Sequence, residues 1–279
     1  MSTEPGGRLI LVGTPIGNLS DLSSRAAEAL SAADVIACED TRRTGRLLSH
    51  LGISGKKYVV VNEHTEGDAS QRLIERIRAG EIVVLVSDAG MPGVSDPGEY
   101  LVAQVIAADL AVEVVPGPSA VLAALVQSGL STSRFVFEGF LPRKGAARAR
   151  MLAEVGREKR TVVLFEAPHR LVRTLNDLQS VCGSDRLVVL ARELTKMHEE
   201  VWRGSLTEAL ARVENVEPRG EFVVVLEGAP EPDEASDQEL CDAITSARER
   251  GATNRDAVDE VAEMFGVSRR RVYDLAINS

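Results

Sequence analysis

Cysteine, histidine and aromatic residues are all scarce here: the 279 residues include three cysteines, four histidines and one tryptophan, and aromatics make up 4%. Cys38, Cys182 and Cys241 form no CxxC pair and no metal-like cluster, so neither a disulfide framework nor a zinc site is expected, and no metal. No GxxxxGK[ST] occurs, which removes the phosphate cradle of P-loop enzymes. No apolar run approaches the roughly 20 residues that a spanning helix needs, and residues 1–7 hold no apolar signal core, so a cytoplasmic protein away from membranes is expected. Positive charge is also short: 32 Lys and Arg face 42 Asp and Glu, for a net charge of −10. That argues against a generally cationic coat, and any RNA contact has to be confined to part of the surface.

With 44% hydrophobic residues, the chain is long enough for two α/β units and a small appendage. It is organised around residues 87–98, SDAGMPGVSDPG. The β-branched run 81–86 before it has the pattern of a parallel strand buried on both faces, and 100–108 after it carries helical spacing. The loop therefore sits at the carboxyl end of a buried parallel strand, where open α/β sheets bind ligands. Glycine allows close backbone approach, proline stiffens the loop, and Asp88, Asp96, Ser87 and Ser95 offer acceptors. Between Arg78 and Arg134 there is no Lys or Arg, so a cationic or zwitterionic ligand fits better than a triphosphate.

Other strand ends repeat the pattern. Strand 8–12 runs into GTPIGNL and a helix starting at Ser20 or Asp21. Strand 34–38 ends in Glu39-Asp40-Thr41-Arg42-Arg43, a polar cluster on the ligand face in which Asp40 or Thr41 could instead be a helix cap, and strand 58–61 ends in Asn62-Glu63-His64. Strand 111–115 is closed by PGPSA, followed by a helix at 121–126. In the second half, strand 135–140 precedes a basic segment with Arg143, Lys144, Arg148, Arg150, Arg157, Lys159 and Arg160, either a solvated helix face or an RNA-backbone contact. Strands 161–165 and 186–190 end in EAPHR and ARELTK. In the latter, pairing of Glu193 with Arg192 or Lys196 for stability alone competes with catalysis. Strands at 199–203 and 220–227 finish the sheet. After the acidic, proline-rich stretch 228–236, helices at 238–248 and 254–265 and a third at 269–277, joined by a glycine turn, suggest a helix-turn-helix or a small packing element.

The ordered blocks GTPIGNL, EDTR, SDAGMPGVSDPG, PGPSA, FEAPHR, ARELTK and GEFVVVLEG resemble those of the ribosomal RNA small subunit methyltransferase I family, a branch of the tetrapyrrole methylase superfamily. The resemblance implies two α/β/α domains of the tetrapyrrole methylase type, a class III methyltransferase, at 1–118 and 119–230 with a cofactor cleft between them, followed by a helical unit at 236–279. It implies S-adenosylmethionine-dependent methylation of a cytidine ribose 2′-hydroxyl in the decoding region of 16S ribosomal RNA, by a homodimer acting on that RNA or on the small ribosomal subunit. The cofactor residues it suggests are Pro15, Gly17, Asp88, Ala89, Gly90, Val94, Ser95, Asp96, Ser119, Ala120, Phe165, Glu166, Leu194 and Glu221. A base among His169, Glu193 and Lys196 is expected, the lysine serving only with a lowered pKa. Arg42, Arg143, Lys144, Arg148, Arg150, Arg269, Arg270 and Arg271 are the RNA candidates, with the 143–160 segment expected to dominate because it belongs to the cofactor-binding body. A tetrapyrrole (precorrin-like) C-methyltransferase would share fold and donor, and a DNA-binding regulator would use the tail.

Overall fold

The computed structural model describes residues 6–62, 65–215, 217–230 and 235–278. Glu63 and His64, read above as polar residues at a strand end, lie outside the described residues. The chain divides into two compact units, Met1–Ala229 and Pro230–Ser279.

The first unit opens with β1 (Arg8–Val12), α1 (Ser24–Ala32), β2 (Val35–Cys38), α2 (Thr41–His50), β3 (Lys57–Val60), α3 (Glu66–Arg78), β4 (Ile82–Leu85), α4 (Glu99–Ala107) and β5 (Ala111–Val115). These build a fully parallel sheet in the order β3-β2-β4-β1-β5. Its central strands bury both faces, which is why they read as unbroken apolar runs. One face is covered by α1 and α2 through Ala26, Leu30 and Leu48, the other by α3 and α4 through Leu73, Ile77, Leu101 and Val105. The connections leaving β1 and β4 therefore pass to opposite faces of neighbouring strands, and a crevice opens at the carboxyl ends of β1 and β4.

The chain continues with α5 (Ala120–Ser128), β6 (Phe135–Phe140), α6 (Gly145–Arg157), β7 (Thr161–Glu166), α7 (Pro168–Cys182), β8 (Leu187–Arg192), β9 (Glu200–Ser205), α8 (Leu206–Asn215) and β10 (Phe222–Leu226). The second sheet, β6-β7-β10-β8-β9, is mixed: β6, β7 and β8 run one way, β9 and β10 the other. Helices α6, α7 and α8 pack on one face. The other face takes α5 together with Ile16 and Leu194, so the loop after β1 inserts a side chain into the second sheet's core.

One helix differs from its sequence pattern. The helix expected from Ser20 or Asp21 is broken into a 3-10 turn at Leu19–Asp21 and α1, because Asn18 and Ser23 each turn a side-chain oxygen back onto a backbone N–H and Leu22 between them is extended.

The second unit holds α9 (Asp237–Glu249), α10 (Asn254–Phe265) and α11 (Arg269–Asn278) around Leu240, Ile244, Val258, Val261 and Val272. A capping box at Ser236 and Glu239 starts α9, and Gly266 at φ 62° ends α10 before the short turn into α11. No helix among the described residues is long and apolar enough to cross a membrane.

Candidate functional site

The loops after β1, β4 and β5 are locked together by their backbones. Thr14 and Gly90 exchange N–H···O bonds of 2.9 and 3.1 Å, and the buried Thr14 hydroxyl reaches the Ser87 carbonyl at 3.3 Å. Gly13 and Gly117 touch main chain to main chain: a Cβ on Gly117 would lie 2.7 Å from the Gly13 oxygen, which only glycine permits. Proline-flanked Gly117 thereby presses the PGPSA loop on the first loop, and Ser119 caps α5, which begins at Ala120.

At the matching end of the second sheet, Glu193 and Thr195 adopt positive φ (49° and 64°), coiling residues 193–196 into a tight turn. Lys196 Nζ donates to Glu193 Oε1 at 2.9 Å and Glu221 Oε2 at 2.8 Å, while the Glu221 N–H donates to Glu193 Oε1 at 2.9 Å. Burial alone would lower the Lys196 pKa, but the two carboxylates outweigh it and raise it. The condition set for Lys196 to act as a base is therefore not met: it is held as an ammonium. Burial pushes Glu193 up, and the Glu221 N–H and Lys196 outweigh that to hold it below its ordinary value. His169 is exposed in the first turn of α7, on the connection after β7.

The two ends meet. The Asn18 N–H donates to Thr195 Oγ1 at 3.1 Å, and a Cβ on Gly17 would sit 2.5 Å from Lys196 Cγ and 2.9 Å from the Leu194 carbonyl oxygen. A Cβ on Gly139 of β6 would meet Ser95 Oγ at 2.8 Å. Ser95 itself has φ 56°, so the signature loop is bent against the second sheet. Phe165 stacks edge-on with Phe137 and Phe140 beside it, Leu194 is buried, and Val94 is exposed.

Negative charge concentrates at the signature loop. Burial, then the charges of Glu39 and Asp88, push Asp96 up to about 6, with a Ser87 hydrogen bond opposing. Asp88 Oδ2 lies 3.4 Å from the Arg43 guanidinium, while Asp88 Oδ1 is buried without a hydrogen-bond partner. An orphaned carboxylate oxygen beside Gly90 (φ 81°) fits a ligand that brings hydroxyl or ammonium donors. Because the folded state raises the Asp96 pKa above its unfolded value, it binds more protons than the unfolded chain, and this group's contribution falls as pH rises from about 4 through about 6. Asp96→Asn should stabilise the unliganded protein at pH 8 by on the order of 1–2 kcal/mol and gain little at pH 4. Thermal melts of both proteins across that range check it, and an equal difference at both ends would contradict it.

Beside Asp88 opens a cavity of about 380 Å3 whose walls include Thr14, Pro15, Leu19, Arg43, Arg46 and Leu47. Arg43 belongs to the strand-end cluster read from sequence, whereas Arg46, one turn further along α2, was not singled out. Both side chains keep solvent access, and the packing of α2 beside the β1 loop brings them to the rim of this cavity.

Other arginines are engaged within the protein to very different degrees. Asp40 caps α2 through the Arg42 N–H and also binds the Arg42 side chain at 2.8 Å, holding the carboxyl far below its usual range. Arg148, expected to contact RNA, is 4% exposed: it binds Asp177 at 2.7 Å, Thr174 at 3.0 Å and the Pro142 carbonyl at 3.0 Å. It cannot present its guanidinium to a macromolecule from there. Glu166 is turned inward too, accepting from Thr174 at 2.5 Å and pairing with Arg170 at 3.1 Å, which leaves its carboxylate no surface for a cofactor. Arg143 and Lys144 stay exposed at the carboxyl end of β6. Arg150 and Arg157 face an open groove of about 800 Å3 with Arg134, toward the opposite end of α6, a helix about 20 Å long. The basic segment is thus divided between both ends of the second sheet. In the helical unit, Arg269 pairs with Asp259, and Arg271 binds Asp237 at 2.8 Å and the Ala235 carbonyl at 2.8 Å. Both pairs lie at the surface, the Arg269 side chain 63% exposed, and Arg270 remains exposed as well.

Residues 8–210 match the family of Tetrapyrrole (Corrin/Porphyrin) Methylases. The chain is 45% identical over 273 residues to a ribosomal RNA small subunit methyltransferase I from Synechocystis, covering 97% of this chain and 98% of that one. It is 46% identical over 222 residues to the protein of the same name from Thermotoga maritima, covering 80% of this chain and 99% of the relative. In fold it is similar to uroporphyrin-III C-methyltransferase from Thermus thermophilus complexed with S-adenyl homocysteine, with a TM-score of 0.58 at 24% identity over 79% of this chain and 97% of that one.

Proposed function

We infer, from the premise that this chain belongs to the tetrapyrrole methylase family and within it to the ribosomal RNA small subunit methyltransferase I branch, that it transfers a methyl group from S-adenosylmethionine to 16S ribosomal RNA, at a cytidine ribose 2′-hydroxyl of the decoding region. The observation that carries this reading is the juncture of the two sheets' carboxyl-end loops, where an unpartnered buried carboxylate oxygen, an acidic cluster and a held ammonium converge. Bound S-adenosylmethionine supplies an electrophilic methyl on a sulfonium cation. Asp88 Oδ1 would hold its hydroxyl or amino donors, the backbone of Pro15, Ala89 and Gly90 and the capped start of α5 at Ser119 and Ala120 would line it, and the acidic cluster of Asp96, Glu39 and Asp88 would offset its positive charge.

The substrate hydroxyl is a weak nucleophile, so this chain must position it and accept its proton. Lys196, fixed by Glu193 and Glu221, suits an orienting role toward an anionic oxygen. His169 and Glu193 remain the candidate proton acceptors, and a positioned base contributes on the order of 10²–10⁴ in rate. A second copy as partner is supported by exposed Leu122 and Val126 on α5 and by Met197, 92% exposed beside the Lys196 turn. The match to the Thermotoga protein, which covers 99% of that relative with 80% of this chain, supports placing the chemistry in the two-sheet unit. A tetrapyrrole C-methyltransferase shares the fold, and the relatives at 45% and 46% identity favour ribosomal RNA over it.

Mapping 2′-O-methylation on 16S ribosomal RNA from cells with and without the gene tests the substrate: one decoding-region cytidine should lose its methyl group. For the donor, calorimetry should detect S-adenosylmethionine binding, and Asp88→Ala should weaken it by about 1.5–3 kcal/mol, the contribution of hydrogen bonds to a charged group. Unchanged affinity in that variant would remove Asp88 from the site.

A further inference from the structure

Charge is segregated across Asp88. Glu39 and Asp96, which join Asp88 in the acidic cluster, do not line the 380 Å3 cavity, and the cavity's charged walls are Arg43, Arg46 and Asp88. Arg43 is only partly neutralised, since among the described residues its one ion pair is the 3.4 Å contact with Asp88 and its side chain stays 57% exposed. Among the described residues Arg46 makes no hydrogen bond or ion pair. In a chain of net charge −10, where several arginines near the strand ends are consumed by carboxylates, Arg46 offers its guanidinium to this cavity without a carboxylate partner among the described residues. The remaining walls include Pro15, Leu19 and Leu47, apolar surface suited to the face of a base or ribose. The volume lies in the range that holds a nucleotide-sized group. Both walls are fixed: Thr14 and Ser87 are tied to Gly90, and Leu48 and Thr44 anchor α2 in the sheet's core.

We propose that this cavity is the nucleotide pocket of the RNA substrate, with Arg43 and Arg46 gripping a backbone phosphate of the methylated strand next to the reacting ribose. The inference rests on the ribosomal RNA reading above. Planar guanidiniums offer forked donors that match phosphate oxygens, and Asp88 is the hinge of the arrangement: Oδ2 faces Arg43 on the RNA side, while Oδ1 is left for the cofactor. Arg46 is a positioning residue, touching phosphate rather than reacting atoms.

The test uses the full chain, small ribosomal subunits lacking the modification, and labelled S-adenosylmethionine. For Arg46→Ala we expect KM for the RNA to rise about 10- to 100-fold, as when a charged hydrogen bond is removed, with kcat within a few-fold and cofactor affinity unchanged by calorimetry. The log–log salt dependence of RNA binding should flatten by roughly 0.7–0.9 for each phosphate that the protein no longer neutralises. Arg46→Lys, which keeps the charge, should restore that slope and part of KM. An active Arg46→Ala variant with wild-type KM and slope overturns the proposal. So does a large loss of cofactor affinity with RNA binding intact, which would assign Arg46 to the cofactor's carboxylate instead. Absence of methyl transfer by the wild-type chain would appear before any variant is compared and would strike the ribosomal RNA reading itself, taking this inference with it.

Discussion

Gly17→Ala is expected to reduce methyl transfer about a hundredfold or more while the protein stays folded, because misplacing a reacting group by about 1 Å can cost that much. A Cβ there would lie 2.5 Å from Lys196 Cγ, 2.6 Å from Thr195 Oγ1 and 2.9 Å from the Leu194 carbonyl oxygen. The side-chain atoms can swing only by breaking the Asn18 N–H···Thr195 bond or the two hydrogen bonds that hold Lys196 Nζ, and the carbonyl belongs to a turn already carrying two positive φ values. Relief therefore comes from separating the first loop from the 193–196 turn, which opens the juncture where the reaction is placed. Overpacking of this kind costs about 1–3 kcal/mol in stability, too little to unfold a domain of this size. Single-turnover methylation with calorimetry and a thermal melt separates the effects. Wild-type turnover in a folded Gly17→Ala protein would remove the turn from the machinery. Lys196→Ala should then lose turnover as well, with Lys196→Arg recovering part of it. Since Lys196 is held above its ordinary pKa, it stays charged through neutral pH, and its alanine variant should keep the wild-type shape of the pH–rate profile below about pH 9. A limb near neutrality that vanishes with Lys196 would reinstate it as a base.

Arg148→Ala should lower stability by roughly 3–5 kcal/mol, the cost of breaking a buried, hydrogen-bonded ion pair, and the melting temperature by on the order of 10 °C. Its guanidinium joins α6 to α7 through Asp177 and Thr174 and to the loop after β6 through Pro142; Thr174 passes the connection to Glu166, and Glu166 to Arg170. Asp177 keeps partial solvent access, so the lower half of that range is expected. Arg150→Ala, two residues away on the exposed side, should leave the melting temperature unchanged. If Arg148→Ala melted like the wild type and lost RNA affinity instead, the side chain would have to leave its buried site in solution.

The central strands of both sheets stood out in the sequence because a strand covered on two faces must be apolar at every position, as in 82–85 and 222–226. Helix boundaries were less legible where capping side chains compete with a helical pattern: Asn18 and Ser23 divide what spacing alone reads as one helix after β1. Charged residues were the least legible. Arg148 and Arg150 are the same residue type in one basic run, and their fates differ because position on a helix relative to a neighbouring helix decides burial. Arg269 and Arg271 pair with Asp259 and Asp237 at the surface, partners that lie elsewhere in the sequence.

Sequence alone determined the two α/β layers, the placing of the glycine-, proline- and carboxylate-bearing loops at strand ends, and the family, since each depends on local periodicity, turn chemistry or motif order. Tertiary structure decided what those loops do together. Residues far apart in sequence, Gly17 and Lys196, Ser95 and Gly139, Asp88 and Arg43, become neighbours only when the sheets are packed, and Lys196 is fixed between Glu193 of its own turn and Glu221, which arrives from β10's side. A charge's role is set by the partners and solvent that surround it, and those are properties of the packed fold rather than of any stretch of chain.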